Sequence, residues 1–154
     1  KLEAGDYDAI ILAAAGLKRL GFGERIREHL PLALALPAIG QGVLAIEFRA
    51  DRADLAELLA PFVDPAALAA SEAERALGLV VEGSCEVPLG GHATVMGSTL
   101  VLEGFLGLPD GTRLVRERAE GEARDAAGLG RALGERILAR GGREVLTLLA
   151  QPRQ

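Results

Sequence analysis

Hydrophobic positions along the chain change their spacing several times, and each change predicts an element. The run Asp8-Ala9-Ile10-Ile11-Leu12-Ala13-Ala14-Ala15 is continuous and apolar after its acidic start. Such a run predicts a strand buried on both faces, as in a parallel α/β sheet. A short helix over Gly16-Leu17-Lys18-Arg19-Leu20 should follow and stop at Gly21 and Gly23. The prolines of Leu30-Pro31-Leu32-Ala33-Leu34-Ala35-Leu36-Pro37 bracket an alternating, extended segment. Gly40-Gln41-Gly42 then leads into Val43-Leu44-Ala45-Ile46-Glu47-Phe48-Arg49, a second strand candidate. A helix from about Ala53 to Val63 would place Leu55, Leu58, Leu59 and Phe62 on one face.

Asp64-Pro65 is a helix start, with Asp as N-cap and Pro at the first helical position. That helix should run to about Val81, burying Ala69, Ala73, Ala76, Leu77 and Val80 while Glu72, Glu74 and Arg75 face water. Gly83-Ser84 ends it and Cys85 sits in the loop beyond. From Glu86 the period shifts towards two. Ala93 to Met96, Thr99 to Leu108 and Arg113 to Arg118 predict three strands, joined by turns at Gly97-Ser98 and Pro109-Asp110-Gly111. A last amphipathic helix, about Asp125 to Arg140, stacks Leu129, Leu133 and Ile137 and stops at Gly141-Gly142. Arg143 to Leu149 should form a short helical tail. Residues up to about 63 therefore look like pieces of an α/β sheet, and residues 64–154 like an α+β unit. The first part holds no complete βαβ crossover, and the chain begins mid-pattern without a methionine. The expectation is the carboxyl-terminal portion of something longer.

Composition narrows the function. Lys and Arg total 17 against 22 Asp and Glu, a formal charge of −5, which argues against a nucleic-acid surface. Hydrophobic residues at 49% and charged residues at 25% are the balance of a globular chain. No apolar run reaches the roughly 18–20 residues that span a bilayer, and no signal peptide opens the chain. The single cysteine excludes an internal disulfide and a multi-cysteine zinc site, and two histidines leave little for a metal centre. A cytoplasmic protein without a metal is the expectation.

Generic motifs fail. Gly40-Gln41-Gly42 is not a dinucleotide fingerprint, since Ala45 stands in place of the third glycine and a strand candidate follows. There is no P-loop and no G-x-S-x-G elbow. A thiol protease pairing Cys85 with His29 or His92 has little to draw on, and a single Cys is more often a small buried hydrophobe than a nucleophile. Cys85 nevertheless lies between glycines in Val81-Glu82-Gly83-Ser84-Cys85-Glu86-Val87-Pro88-Leu89-Gly90, and a loop thiol is open to a ligand.

Glu82-Gly83-Ser84-Cys85-Glu86-Val87-Pro88-Leu89-Gly90 resembles the cofactor-attachment loop of the porphobilinogen deaminase (hydroxymethylbilane synthase) family. Three further stretches resemble that family in order: residues 6–21, Leu36-Pro37-Ala38-Ile39-Gly40-Gln41-Gly42 with Ala45-Ile46-Glu47, and Ala70-Ser71-Glu72-Ala73-Glu74-Arg75-Ala76. The resemblance covers essentially the whole chain but only about the second half of a family member. It implies a transferase of tetrapyrrole, porphyrin and heme biosynthesis that joins four porphobilinogen units, with loss of ammonia, into hydroxymethylbilane. The chain grows on a dipyrromethane cofactor held by a thioether, here to Cys85. The chemistry suits a thiol, because a soft thiolate adds readily to the azafulvene left when the amine departs.

The same resemblance implies that Arg19 binds a cofactor carboxylate, for which a guanidinium offers two parallel donors. Read without it, Arg19 is a solvated helix residue. Gln41 matches a cleft residue beside the tetrapyrrole, and Leu12 and Ala13 match backbone and apolar contacts to it. The catalytic aspartate and most carboxylate-binding cations belong to the amino-terminal half, so no catalytic residue is expected in this portion. Ser84 departs from the family, where many members have glycine. By resemblance residues 1–38 finish the second of two periplasmic-binding-protein-like α/β domains. Residues 39–62 return to the first, and 63–154 form the cofactor-attachment domain. The implied partners are porphobilinogen and the missing amino-terminal half, with no nucleic acid or membrane, in a full-length monomer. The rival reading is a non-enzymatic α+β ligand-sensing or interaction domain with an incidental thiol.

Overall fold

A computed structural model describes residues 1–81 and 87–151. It divides into two compact units, Lys1–Ala35 and Leu36–Gln154. In the first, one short helix, α1 (Ala14–Arg19), is followed by a 3-10 turn at Gly23–Arg25. Among the described residues this unit contains no strand, so the apolar run from Asp8 to Ala13 is not the strand its composition suggests. Ile11 is 81% exposed. A strand exists only where a neighbour meets its N–H and C=O groups, and no ladder meets these.

The second unit begins with an irregular stretch over residues 36–38 and a turn over residues 39–42. Val43 to Arg49 likewise pairs with no strand, and Leu44 is 90% exposed. The expected α/β arrangement is thus not seen in residues 1–63. Helix α2 (Ala53–Leu59) tightens into a 3-10 turn at Ala60–Phe62, with Phe62 77% exposed.

From Asp64 onwards the elements follow the pattern closely. The Asp64 carboxylate accepts the N–H groups of Ala66 and Ala67 at 2.8 and 3.1 Å, satisfying donors that the first helical turn leaves free. Helix α3 (Pro65–Val81) runs from there. Strands β1 (Leu89–Met96), β2 (Thr99–Gly107) and β3 (Leu114–Glu122) form an antiparallel meander in the order β1-β2-β3. Its register sets His92 opposite Glu103, and Glu103 opposite Arg118. Alternation places Leu100, Leu102 and Leu106 in the core with Leu77 and Val81 of α3. Helix α4 (Ala126–Ile137) adds Leu133 and Ile137 to the same core. After a π-turn at Leu138–Gly142, where Gly141 has φ +116°, helix α5 (Arg143–Leu149) docks Val145.

Close approach between α3 and α4 depends on glycine. A Cβ at Gly134 would stand 2.8 Å from Val80, and one at Gly130 would overlap the Ala73 carbonyl oxygen. One side chain of α3 lies opposite to expectation. Glu74 does not face water; it is 5% exposed.

Candidate cofactor site

The free edge of β1 is where this buried carboxylate belongs. An unpaired strand edge presents backbone donors that must be satisfied or covered. Here the Gly91 N–H donates to the Pro37 carbonyl at 3.0 Å, and the Ala93 N–H donates to Glu74 Oε1 at 2.8 Å. The segment from Pro37 to Gly42 is thereby laid along the edge. Ile39 enters the gap between α3 and β1, where a Cβ at Gly78 or Gly91 would lie 3.2 or 3.5 Å from its side chain. A Cβ at Gly90 would overlap the Phe105 ring and reach 2.9 Å from the Pro37 carbonyl oxygen. Glycines at 78, 90 and 91 therefore make the seat for this turn.

The turn itself is closed by several bonds. The Gln41 N–H reaches the Ala38 carbonyl at 3.2 Å, and Gln41 Oε1 accepts the Ala38 N–H, also at 3.2 Å. Gly40 holds φ +70°, a region glycine enters without cost. Its N–H donates to Glu74 Oε2 at 2.7 Å. His92 Nδ1 stands 3.9 Å from Glu74 Oε1. With its oxygen engaged, the exposed Gln41 side chain keeps Nε2 without a partner among the described residues. That amide can donate to a carboxylate or another acceptor.

The other expected contacts lie in the first unit. Ala13 is the extended N-cap residue of α1, and its carbonyl accepts the Leu17 N–H at 3.2 Å. Leu12 beside it is exposed. Arg19 is the last residue of α1, exposed, where a cation also complements the helix dipole. Among the described residues no carboxylate pairs with Arg19. Arg25, Arg49 and Arg52, by contrast, are each bound to an Asp or Glu. Leu12, Ala13 and Arg19 therefore share one unit, and Gln41 belongs to the other. Cys85 lies outside the described residues.

Comparison with known proteins decides the family. Residues 1–57 match the family model described as "Porphobilinogen deaminase, dipyromethane cofactor binding domain". Residues 68–139 match "Porphobilinogen deaminase, C-terminal domain". The chain belongs to the porphobilinogen deaminase family. It is 50% identical over 149 residues to the porphobilinogen deaminase of Thiobacillus denitrificans, covering 97% of this chain and 49% of that protein. The counterpart from Chromobacterium violaceum is 51% identical over 154 residues, 99% of this chain and 50% of the relative. That from Geobacter sulfurreducens is 48% identical over 151 residues, 98% and 48% respectively. The chain thus spans about half the length of the curated relatives it matches.

Leu12, Ala13, Arg19 and Gln41 all fall in the part matching the cofactor-binding domain, whereas Glu74 and Cys85 fall in the part matching the C-terminal domain. Among the described residues no helix is long and apolar enough to cross a membrane. Glu74 is the residue that pattern reading missed. Its signal was present, since Glu74 follows Ala70 by four and precedes Leu77 by three and Val81 by seven, all on one helical face.

Proposed function

We propose that this chain is the carboxyl-terminal portion of a hydroxymethylbilane synthase and carries a dipyrromethane primer as a thioether on Cys85. The observation that carries this reading is the match of residues 1–57 to the cofactor-binding domain, within which every non-covalent contact expected here falls. The residues present suit the group. Arg19 offers a guanidinium that no carboxylate pairs among the described residues to an acetate or propionate, and Nε2 of Gln41, without a partner among those residues, offers a donor to a second acceptor. Leu12 and Ala13, in the same unit as Arg19, supply apolar surface and backbone. Cys85 contributes the sulfur. When attached, the cofactor supplies the free pyrrole position at which porphobilinogen units are added.

The whole enzyme's chemistry belongs to this portion together with its amino-terminal half, which is its partner in our reading. In that assembly residues 1–38 complete the second of two periplasmic-binding-protein-like α/β domains. Residues 39–62 return to the first, and 63–154 hold the attachment loop. The unpaired apolar runs at Ile10–Ala13 and Val43–Phe48 support this, because both are suited to sheet neighbours that the described residues do not provide. The assembled protein is a monomer of the cytoplasm, acting on porphobilinogen in heme biosynthesis. Mass analysis of the chain made alongside that half tests the proposal. Attachment of a dipyrromethane to Cys85 is expected, and a bare thiol in the assembled protein would favour a binding domain without catalysis.

A further inference from the structure

We infer that Glu74 is a positioning residue that latches the Gly40-Gln41 turn to the carboxyl-terminal domain and so fixes the direction of the Gln41 amide. The inference rests on the reading of Gln41 as a cofactor contact. Burying a carboxylate is unfavourable unless several donors replace its water. Glu74 has two backbone donors from segments far apart in sequence: Gly40 N–H at 2.7 Å and Ala93 N–H at 2.8 Å. Its neighbours on the same helical face, Leu77 and Val81, are fully buried and apolar. Packing alone would be met by another aliphatic residue there. What a carboxylate adds is a two-headed acceptor bridging the sheet edge and the turn.

The turn is anchored at three points, and they do different things. The Pro37 carbonyl and the Ile39 side chain hold the start of the segment against β1 and α3. Glu74 alone, among the described residues, accepts the Gly40 N–H, one peptide from Gln41. Two bonds inside the turn, the Gln41 N–H to the Ala38 carbonyl and the Ala38 N–H to Gln41 Oε1, keep its internal shape, whereas the Gly40 N–H, at a residue with φ +70°, is its link to α3. Loss of the latch would leave Pro37 and Ile39 seated while the turn beyond them, with the Gln41 side chain it carries, loses its fixed direction against α3. A pre-aimed donor binds with less ordering cost than one that must be immobilised on binding.

The test begins with Glu74→Gln. The amide keeps one acceptor oxygen and turns the other position into a donor, so it cannot meet the two N–H groups through separate oxygens, and the turn, not the sheet-held Ala93, gives way. Hydrogen exchange of the Gly40 amide in this chain should quicken by about tenfold to a hundredfold, as loss of a charge-assisted bond implies, while the core amides of Leu102 and Leu133 keep their protection. Unchanged Gly40 exchange would overturn the latch. In the assembled enzyme, Glu74→Gln and Gln41→Ala should each raise KM for porphobilinogen more than they lower kcat. The double variant should be no worse than Gln41→Ala alone, because the first residue acts through the second. Independent, multiplying effects would overturn the positioning role. Gly40→Ala guards against failure of Glu74→Gln to fold. A methyl there meets nothing within 4 Å but resists the positive φ, so it should raise KM with the core intact. A Gly40→Ala variant with parental KM would also overturn the role. Quickened Gly40 exchange beside a parental KM in Gln41→Ala would instead remove Gln41 from the cofactor site while leaving the Glu74 contact in place.

Discussion

Two glycines in one helix offer a matched pair whose substitution should move stability in opposite directions. Gly128 and Gly130 both lie in α4, so replacing either by Ala brings a similar helical gain of up to about 1 kcal/mol. Their surroundings differ. The atoms nearest a Cβ at Gly128 are the carboxylate end of Asp125, an exposed side chain that can rotate away. A Cβ at Gly130 would overlap the Ala73 carbonyl oxygen and stand 2.8 Å from the Ala76 Cβ and 3.0 Å from the Ala73 carbonyl carbon. Those atoms belong to α3 and cannot swing aside. Carbon contacts settle at about 3.5–4.0 Å, so relief requires the two helices to part by roughly 1 Å. Overpacking of this kind costs about 1–3 kcal/mol, and a backbone obstacle favours the upper end. Gly130→Ala should therefore lose about 1–2 kcal/mol, and Gly128→Ala should lie between neutral and about 1 kcal/mol more stable. Urea unfolding followed by circular dichroism measures both, with m-values checked for constancy. In a domain of this size a separation of about 1–3 kcal/mol corresponds to roughly 5–20 °C in midpoint. A Gly130→Ala variant as stable as its Gly128→Ala counterpart would refute the close α3–α4 contact.

Arg19→Leu should leave unfolding within about 0.5 kcal/mol of the parent, because the side chain is exposed and has no carboxylate partner among the described residues, yet weaken cofactor or intermediate binding by about 1.5–3 kcal/mol. Equal activity of variant and parent across porphobilinogen concentrations would contradict the assignment. Asp110 accepts the Thr112 backbone N–H at 3.0 Å and then the Thr112 hydroxyl at 2.7 Å, which holds its carboxyl below the usual aspartate range. Its folded value is depressed, so the turn gains stability above about pH 4, the ordinary aspartate value, and loses it as pH falls through the depressed one. Carboxyl carbon NMR should give a midpoint below that of an unrestrained aspartate, and a midpoint at or above it would contradict the turn geometry.

The carboxyl-terminal domain was legible because its signals are local. Asp64-Pro65 marks a helix start by capping chemistry, and α3 starts at Pro65 itself. The hairpin turns at Gly97-Ser98 and Pro109-Asp110-Gly111 likewise fall between the observed strands. Strand β1 begins at Leu89 rather than near Ala93, since Gly90 and Gly91 carry no strand propensity of their own. They are required for a reason sequence cannot display, the nearness of Phe105 and the Pro37 carbonyl. Strand β3 extends to Glu122 because Arg118, Glu120 and Glu122 alternate outward with half-buried Ala119 and Gly121 between them. The apolar runs before residue 63 show that burial is possible without saying which strand would pair with them. At the candidate site, Gln41 and Arg19 emerged only through resemblance. Glu74 was hidden because a carboxylate on a helix is ordinarily solvated, and only the tertiary donors Gly40 and Ala93 make its burial favourable.

Attachment of a dipyrromethane to Cys85, as proposed, is open to intact-protein mass spectrometry with peptide mapping. The chain is produced together with its amino-terminal half, and a Cys85→Ser version is produced in parallel. The expected result is an added mass equal to a dipyrromethane, located on the peptide containing Cys85 and absent from the serine variant, whose hydroxyl is far less nucleophilic than a thiolate. An assembled protein with a free Cys85 thiol, or a serine variant still normally loaded and fully active, would contradict it.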